Sequence, residues 1–269
     1  MENKIEVISC ISSINQVDEV FSAGADSIYA GLVKRSWQNE EVELSWQELI
    51  EAGKKTKELG KKFHLALNRD LTTGDIDELL GYREYFEAKI FDGIIVSDWG
   101  CMEAIRRISD DIEIHLSANT ACVNRYDLDL AEELKVNRIV FSFSDNMEKI
   151  RSFIKEYKSF EWEAIVYGGI CANEVGYCPC SLETMNMENV TDICRYPLQM
   201  RSGEEYVGGK KIFGYPLCGG GNAEELYNAG VYYWKLEGRA KGLDHILRGT
   251  KRLRSIADSI EKEALSHAR

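Results

Sequence analysis

Short apolar runs alternate with amphipathic stretches along almost the whole chain. Eight of these runs are rich in β-branched and aromatic residues and predict β-strands. They are Lys4 to Ser9, Ser27 to Gly31, Lys62 to Leu67, Gly93 to Ser97, Glu113 to Ala118, Arg138 to Phe143, Glu163 to Gly168 and Tyr232 to Gly238. The stretches between them have helical periodicity and begin at residues that cap helices, such as Ser45 and Asn124.

Eight strands that alternate with helices are typical of parallel βαβ units. The count favours a closed (β/α)8 TIM-type barrel over an open doubly wound sheet, so the predicted fold class is α/β. No Gly-x-Gly-x-x-Gly follows the first strand, which disfavours a dinucleotide-binding sheet. No linker divides the chain, and we expect residues 1–269 to form a single barrel domain.

Residues 169–221 interrupt the alternation between the seventh and eighth strands. This segment contains all three prolines and five of the eight cysteines, and it has poor helical or strand periodicity. Loops this long in compact domains usually have a function. Because the loops that follow barrel strands form the catalytic face, we expect an irregular, Cys-rich insertion there.

The composition indicates an ordinary globular protein, with 44% hydrophobic and 29% charged residues. No apolar run is long enough for a membrane span, and the N-terminus lacks the apolar region of a secretory signal. We therefore expect a cytoplasmic protein with reduced thiols, in which clustered cysteines indicate a metal site.

The formal net charge is −12, and no long block of Lys or Arg occurs. Proteins that bind nucleic acid normally neutralise phosphates with clustered cations. The sequence therefore favours a small-molecule substrate, and a nucleic-acid partner is not expected.

The clustered cysteines leave the kind of metal open. Several thiolates suit either tetrahedral zinc or an iron–sulfur cluster, since both take sulfur ligands. Structural zinc sites usually use two C-x(2 to 4)-C pairs, and the segment has only one closely spaced pair, Cys178-Pro179-Cys180. An iron–sulfur cluster is favoured over zinc, and a site without metal is the third possibility.

Four ordered motifs resemble the U32 family of collagenase-like peptidases, whose catalytic type is unassigned. The stretch E-A-I-V-Y-G-G-I-C-A-N-E-V-G-Y-C, Glu163 to Cys178, is similar to the family signature E-x-F-V-H-G-A-x-C-x-x-x-x-G-R-C. G-A-D-S-I-Y-A-G (Gly24 to Gly31), I-H-L-S-A-N-T (Ile114 to Thr120) and K-L-E-G-R-A-K-G (Lys235 to Gly242) match further family motifs in the same order. Tyr167 stands where the signature usually has His, and it is a candidate catalytic residue.

The resemblance implies a barrel whose cysteines hold a 4Fe-4S cluster. Within the family, UbiU and UbiV carry such clusters and together hydroxylate ubiquinone precursors without oxygen, and other relatives hydroxylate ribosomal or transfer RNA. Carried over by motif, the implied ligands are Cys171, Cys178, Cys194 and Cys218, with Cys180 as an alternate. Zinc stays the alternative metal. A second family member is a possible heterodimer partner.

Polar residues at the predicted strand ends are further candidates for the site. His115 on the fifth strand is either an acid/base group or a hydrogen-bonded interior histidine. Glu163, Glu237 and Arg239 are placed to hold a polar substrate or each other. A wider polar ring of Tyr29, Arg35, Asn68, Arg69, Asp98 and Asn119 is also expected near the strand ends, with helix capping the preferred role for Asp98.

The sequence leaves three functions open. The first is a cluster-dependent, oxygen-independent hydroxylase or related redox enzyme. The second is a peptidase, as the family name suggests, although no HExxH or G-x-S-x-G motif occurs. The third is a non-catalytic, cluster-bearing subunit of a heteromeric enzyme.

Overall fold

The computed structural model describes residues 4–36, 40–120, 122, 124–142, 145–169, 197–202, 205–211, 216–218 and 223–267. Eight of its strands form a closed barrel. They are β1 (Glu6–Cys10), β2 (Ser27–Gly31), β3 (Lys62–Leu67), β4 (Gly93–Val96), β5 (Glu113–Leu116), β6 (Arg138–Val140), β7 (Glu161–Gly169) and β11 (Tyr233–Leu236).

Each of these strands pairs in parallel with the next one along the chain, and the ring closes through β7–β11 and β11–β1. The prediction of a TIM-type barrel is therefore confirmed. All eight predicted strands are present, with ends that differ by up to three residues. The division into domains stays a prediction.

Helices follow the barrel strands and cover the outside of the barrel. They are α1 (Val17–Ser22), α2 (Trp46–Glu58), α3 (Thr73–Gly81), α4 (Arg83–Glu87), α5 (Trp99–Ile108), α6 (Arg125–Glu133), α7 (Met147–Glu156), α8 (Ala223–Ala229) and α9 (Leu243–His267). The expected capping boxes at Ser45 and Asn124 are present, so side-chain oxygens accept from first-turn amides that the helix leaves unpaired. None of the described helices is long and apolar enough to cross a membrane.

The apolar core lies between the strands and the helices. Outward-facing residues such as Val7, Phe63 and Trp234 are fully buried there, and each contributes roughly 2 kcal/mol by leaving water. The hydroxyl groups of Ser9 on β1 and Thr250 on α9 lie 2.7 Å apart, which shows that Ser9 faces the helical layer. Because side chains alternate along a strand, Ile8 and Cys10 face the barrel interior.

The segment between β7 and β11 contains strands that the sequence analysis did not predict. β8 (Pro197–Ser202) and β9 (Glu205–Lys211) form an antiparallel pair, and β10 (Pro216–Cys218) pairs antiparallel with β7. The prediction of a long insertion is confirmed, and in its described residues these strands correct the prediction that it is irregular. The strands are short, and alternation of polar and apolar residues over so few positions is a weak signal in the sequence.

Candidate functional site

The interior of the barrel is lined by charged and aromatic side chains instead of a purely aliphatic core. Glu163 on β7, Lys235 on β11 and Arg138 on β6 are almost completely buried there. Parallel barrel strands normally read as continuous apolar runs, so buried charges inside them are unusual.

Glu163 lies at the centre of this network. Its Oε1 accepts from Lys235 Nζ at 2.7 Å, and its Oε2 accepts from Arg138 Nη1 at 3.2 Å. Arg138 also donates from Nε and Nη2 to Glu161 Oε2, at 2.9 and 2.8 Å. The guanidinium carbon of Arg138 lies 3.7 Å from the centre of the Tyr233 ring. Two buried cations are thus neutralised by two carboxylates.

The charges of this network stabilise one another against the cost of burial. Burial alone raises the pKa of Glu163, but Lys235 and Arg138 outweigh it, so the pKa lies below its usual value. Burial lowers the pKa of Lys235, and the Glu163 carboxylate opposes this effect. Burial also works against the Arg138 cation, but Glu163 and Glu161 more than offset it and raise the pKa. The group therefore holds fixed charges inside the barrel.

His115, the predicted acid/base candidate, lies well inside the barrel. It is paired in register with Arg138, the first residue of β6, and its ring centre lies 4.8 Å from that of His64. Both histidines are buried, and burial lowers the pKa of each well below 6.5. Both imidazoles are consequently neutral near pH 7. A catalytic role for His115 stays a prediction.

Cys10 is the last residue of β1, and it pairs in register with Tyr29 in the middle of β2. The Tyr29 hydroxyl donates to the carbonyl of Leu236, the last residue of β11, at 3.1 Å. Burial raises the pKa of the Tyr29 phenol well above 10 and that of the Cys10 thiol to about 12. Both groups are protonated near neutral pH. Cys101 is likewise a buried free thiol, whereas Cys122 is half-buried.

Arg239 follows β11 and is only 3% exposed. Its Nη2 donates to Ser36 Oγ at 3.1 Å, and its guanidinium carbon lies 5.2 Å from the centre of the Tyr29 ring. Gly31, at the end of β2, gives the guanidinium room: a Cβ on Gly31 would lie 2.2 Å from Arg239 Nη1. The side chain therefore points across β1 toward β2.

Glu237 and Tyr167 lie on the other side, toward β7. The Glu237 amide donates to the Tyr167 carbonyl at 2.7 Å, and the Tyr167 ring lies 5.4 Å from the His245 ring. A Cβ on Gly168 would lie 2.9 Å from Glu237 Oε2, and Gly168 has a φ of 155°, which residues with side chains rarely adopt. Glu237 and Arg239, adjacent in the predicted site, thus face different strands.

Cys218 is the last residue of β10, and its backbone pairs with that of Tyr167 on β7. The other cysteines of the predicted site, Cys171, Cys178, Cys180 and Cys194, lie outside the described residues. A thiol-rich donor set fits a 4Fe-4S cluster or zinc, since both take thiolate ligands. Within the described part of the chain, no three His, Cys, Asp or Glu side chains come together as a metal site.

The wider polar ring is only partly brought together. Asn119 Nδ2 donates to the Asn68 carbonyl at 3.2 Å, which joins the ends of β3 and β5. Asp98 caps α5 by accepting from the Cys101 amide at 2.7 Å, in agreement with the preferred interpretation. Arg35 instead pairs with Asp75 and Glu78 on α3, and Arg69 is exposed.

An open cleft of about 540 Å³ lies at the opposite end of the barrel. It is lined by residues at or before the first positions of β5, β6 and β7, namely Glu113, Glu132, Lys135, Val136, Asn137, Ser159, Phe160 and Glu161. TIM-barrel enzymes place their chemistry at the carboxyl ends of the strands. We therefore assign the candidate site to the end that carries Tyr29, Arg239 and Tyr167.

A family model described as peptidase family U32 matches residues 12–268. The chain belongs to peptidase family U32. The resemblance carried by the four sequence motifs is confirmed.

Several curated proteins are similar to this chain at low identity. The tRNA hydroxylation protein P of Escherichia coli is 24% identical over 75% of this chain and 46% of its own length. An uncharacterized protease of Methanocaldococcus jannaschii is 24% identical over 95% of this chain and 66% of its own length. A 23S rRNA 5-hydroxycytidine synthase of Escherichia coli is 23% identical over 97% of this chain and 40% of its own length. The chain thus spans about half the length of the first of these relatives.

Solved structures show the same fold. A U32 peptidase superposes with a TM-score of 0.57 at 14% identity, over 87% of this chain and 93% of its own. The N-acetylneuraminic acid synthetase of Leptospira borgpetersenii reaches 0.57 at 12% identity, over 98% and 86%. At these identities the likeness concerns the fold alone.

His64, Arg138, Lys235 and Ser36 were not predicted as site residues. A usable signal existed for the first three, because each is a charged or polar residue inside a strand expected to be buried on both faces. In particular, Glu163 follows Glu161 by two residues, and Lys235 follows Tyr233 by two residues. Side chains two residues apart on a strand face the same side, which indicates a shared polar face. Ser36 follows β2 in a loop, where no pattern distinguishes it.

Proposed function

We propose that this chain is an iron–sulfur protein that takes part in the oxygen-independent hydroxylation of an organic substrate. Cys171, Cys178, Cys194 and Cys218 would hold a 4Fe-4S cluster, with Cys180 as the alternate ligand and zinc as the alternative metal. When bound, such a cluster supplies electron transfer at a potential set by burial and by hydrogen bonds to its sulfurs.

The pairing of β10 with β7 is the observation that carries this proposal. It sets the Cys218 backbone beside Tyr167, near the carboxyl end of a barrel strand. In TIM-barrel enzymes this end carries the active site. A cysteine of the thiol-rich segment is therefore next to the face where we expect a substrate.

The buried residues beneath that face bind and orient charge. Glu163 holds Lys235 and Arg138 in fixed positions, and Tyr29 contacts both Lys235 and Arg239 with its ring. Tyr29 and Cys10 keep their protons near neutral pH because burial raises the pKa of each. These buried polar side chains are thus held in fixed positions below the site, where they can interact with a bound substrate.

The substrate class rests on the relatives. Several are named for hydroxylation of transfer or ribosomal RNA, which supports an RNA base as substrate. The net charge of −12 favours a small molecule instead. The peptidase alternative rests on the family name, and a cluster-bearing subunit that works with a second family member is the remaining alternative.

The test compares cells that lack the protein with cells that carry it. Mass spectrometry of transfer RNA, ribosomal RNA and small metabolites from anaerobic cultures should show one species that loses the mass of an oxygen atom in the deletion strain. The wild-type gene should restore that species, and Cys218→Ser should not. The matched control is Cys122→Ser, which changes a half-buried free thiol that is not one of the candidate ligands. Identical oxygen content in all strains contradicts the proposal.

A further inference from the structure

Arg239 carries a hydrogen-bond donor that has no acceptor among the residues that the structure describes. The guanidinium is 3% exposed, Nη2 donates to Ser36 Oγ, and Nη1 is enclosed with no hydrogen-bond partner. A buried donor left unpaired costs about 1–3 kcal/mol, and more when it belongs to a charged group. Buried polar atoms in native proteins are nearly always hydrogen-bonded, so a bound ligand or water is expected to accept from Nη1.

The chain makes space for this guanidinium by a specific residue. A Cβ on Gly31 would lie 2.2 Å from Arg239 Nη1 and 2.3 Å from Ser36 Oγ, distances that no real Cβ adopts. The close approach of Arg239 to β2 therefore depends on a residue without a side chain at position 31. The arrangement is built by the fold, since Gly31, Ser36 and Arg239 all follow or end barrel strands at the same face.

The charges around Arg239 favour an anion. Lys235 Nζ and the Arg239 guanidinium carbon lie 4.6 and 5.2 Å from the centre of the same Tyr29 ring, so two cations share one aromatic side chain. Lys235 is paired with Glu163, which also neutralises Arg138. The Glu237 carboxylate lies against Gly168 on the β7 side, whereas Arg239 faces β2.

We infer that Arg239 Nη1 binds an anionic oxygen of the substrate, either a carboxylate or a phosphate oxygen, at the carboxyl face of the barrel. Charge-assisted hydrogen bonds from arginine to such oxygens are among the strongest in proteins, and a desolvated site strengthens them further. The inference rests on the proposed function only in taking the bound anion to be part of the hydroxylation substrate. Anion binding itself is measured independently of the cluster.

The test is a titration of the purified protein with malonate and, separately, with inorganic phosphate. Binding is followed by calorimetry and by the shift in thermal unfolding, with chloride at equal ionic strength as the blank. Loss of one charge-assisted hydrogen bond weakens binding by about tenfold or more, so Arg239→Gln should show at least that loss. Arg239→Lys keeps the charge and should give an intermediate affinity.

Two further variants separate anion binding from general loss of stability. Gly31→Ala keeps the arginine at position 239 but places a Cβ 2.2 Å from its Nη1, so the guanidinium has to move and anion binding should be abolished. Arg35→Gln is the control. Arg35 lies next to Ser36 in the loop after β2, but its guanidinium pairs with Asp75 and Glu78, so the anion affinity of this variant should match the wild type. If Arg239→Gln does not fold, Arg239→Lys and Gly31→Ala decide the question.

The outcomes show which kind of anion binds, and they separate anion binding by Arg239 from the proposed cluster chemistry. Preference for malonate assigns a carboxylic acid, and preference for phosphate assigns a phosphorylated substrate such as a nucleotide. No binding of either anion, or binding that Arg239→Gln and Gly31→Ala leave unchanged, overturns the inference. An iron-free protein that still binds anions through Arg239 overturns the proposed cluster chemistry and leaves this inference standing.

Discussion

Glu163→Gln tests whether the buried charge network stabilises the barrel. The carboxylate of Glu163 accepts from Lys235 and Arg138 in a site that is 1% exposed. Glutamine keeps an oxygen that accepts one hydrogen bond but removes the charge. Arg138 retains Glu161, so Lys235 becomes the cation without a counter-charge.

Removing one partner of a buried ion pair typically costs 3–5 kcal/mol, because the remaining charge is left uncompensated. We take the lower end, about 3 kcal/mol, since the amide oxygen still accepts from Lys235. The free energy of unfolding is measured by urea denaturation with tryptophan fluorescence at pH 7. Glu103→Gln is the control, because its exposed pair with Arg107 on α5 contributes at most about 0.5 kcal/mol.

The pH dependence of this loss has a definite sign. The pKa of Glu163 is lowered in the folded protein, so its contribution is present above the unfolded pKa of about 4.3 and disappears as pH falls through the folded value. The difference between wild type and Glu163→Gln should therefore be full at pH 7 and shrink below about pH 4.

A second substitution removes the stranded cation. Glu163→Gln combined with Lys235→Met should recover part of the lost stability, since the buried charge is then absent. A loss below 1 kcal/mol for Glu163→Gln, or a double variant no more stable than the single one, refutes the reasoning.

Three further predictions follow from single features. Because burial lowers the pKa of His64 and His115, the unfolded chain binds protons more tightly than the folded one, and the free energy of unfolding should fall as pH drops below about 6.5; a His64→Asn/His115→Asn protein should lose less stability between pH 7 and 5.5 in urea titrations. Gly168→Ala should cost about 2 kcal/mol by calorimetry, from its positive φ and the contact of the new Cβ with Glu237, and no loss would contradict the described backbone. Ser45→Ala should cost about 1 kcal/mol in thermal or urea unfolding by removing the cap of α2, and an unchanged midpoint would contradict it.

The fold could be predicted because its signals are local and repeated. Alternating strand and helix patterns, with capping residues such as Ser45 and Asn124, determine the (β/α)8 order. Strand ends were less accurate, since β6 ends at Val140 where an apolar run continues to Phe143. Tertiary pairing, and not propensity, decides where a strand stops.

The site was only partly predictable, because its partners come from distant positions in the sequence. Glu163 was identified, but its pairing with Arg138 and Lys235 depends on which strands are neighbours in the closed barrel. Arg239 was expected beside Glu237, yet it faces β2 because Gly31 leaves space there. Such a contact depends on packing, which no periodicity encodes.

The measurement that tests the central claim most directly is iron and acid-labile sulfide analysis of anaerobically purified protein, together with its visible absorption spectrum. We expect about four iron and four sulfide per chain and the brown colour of a 4Fe-4S cluster. Cys171→Ser, Cys178→Ser, Cys194→Ser and Cys218→Ser should each lower the iron content, whereas Cys101→Ser, at a buried free thiol, should leave it unchanged. A colourless, iron-free protein with stoichiometric zinc contradicts the account.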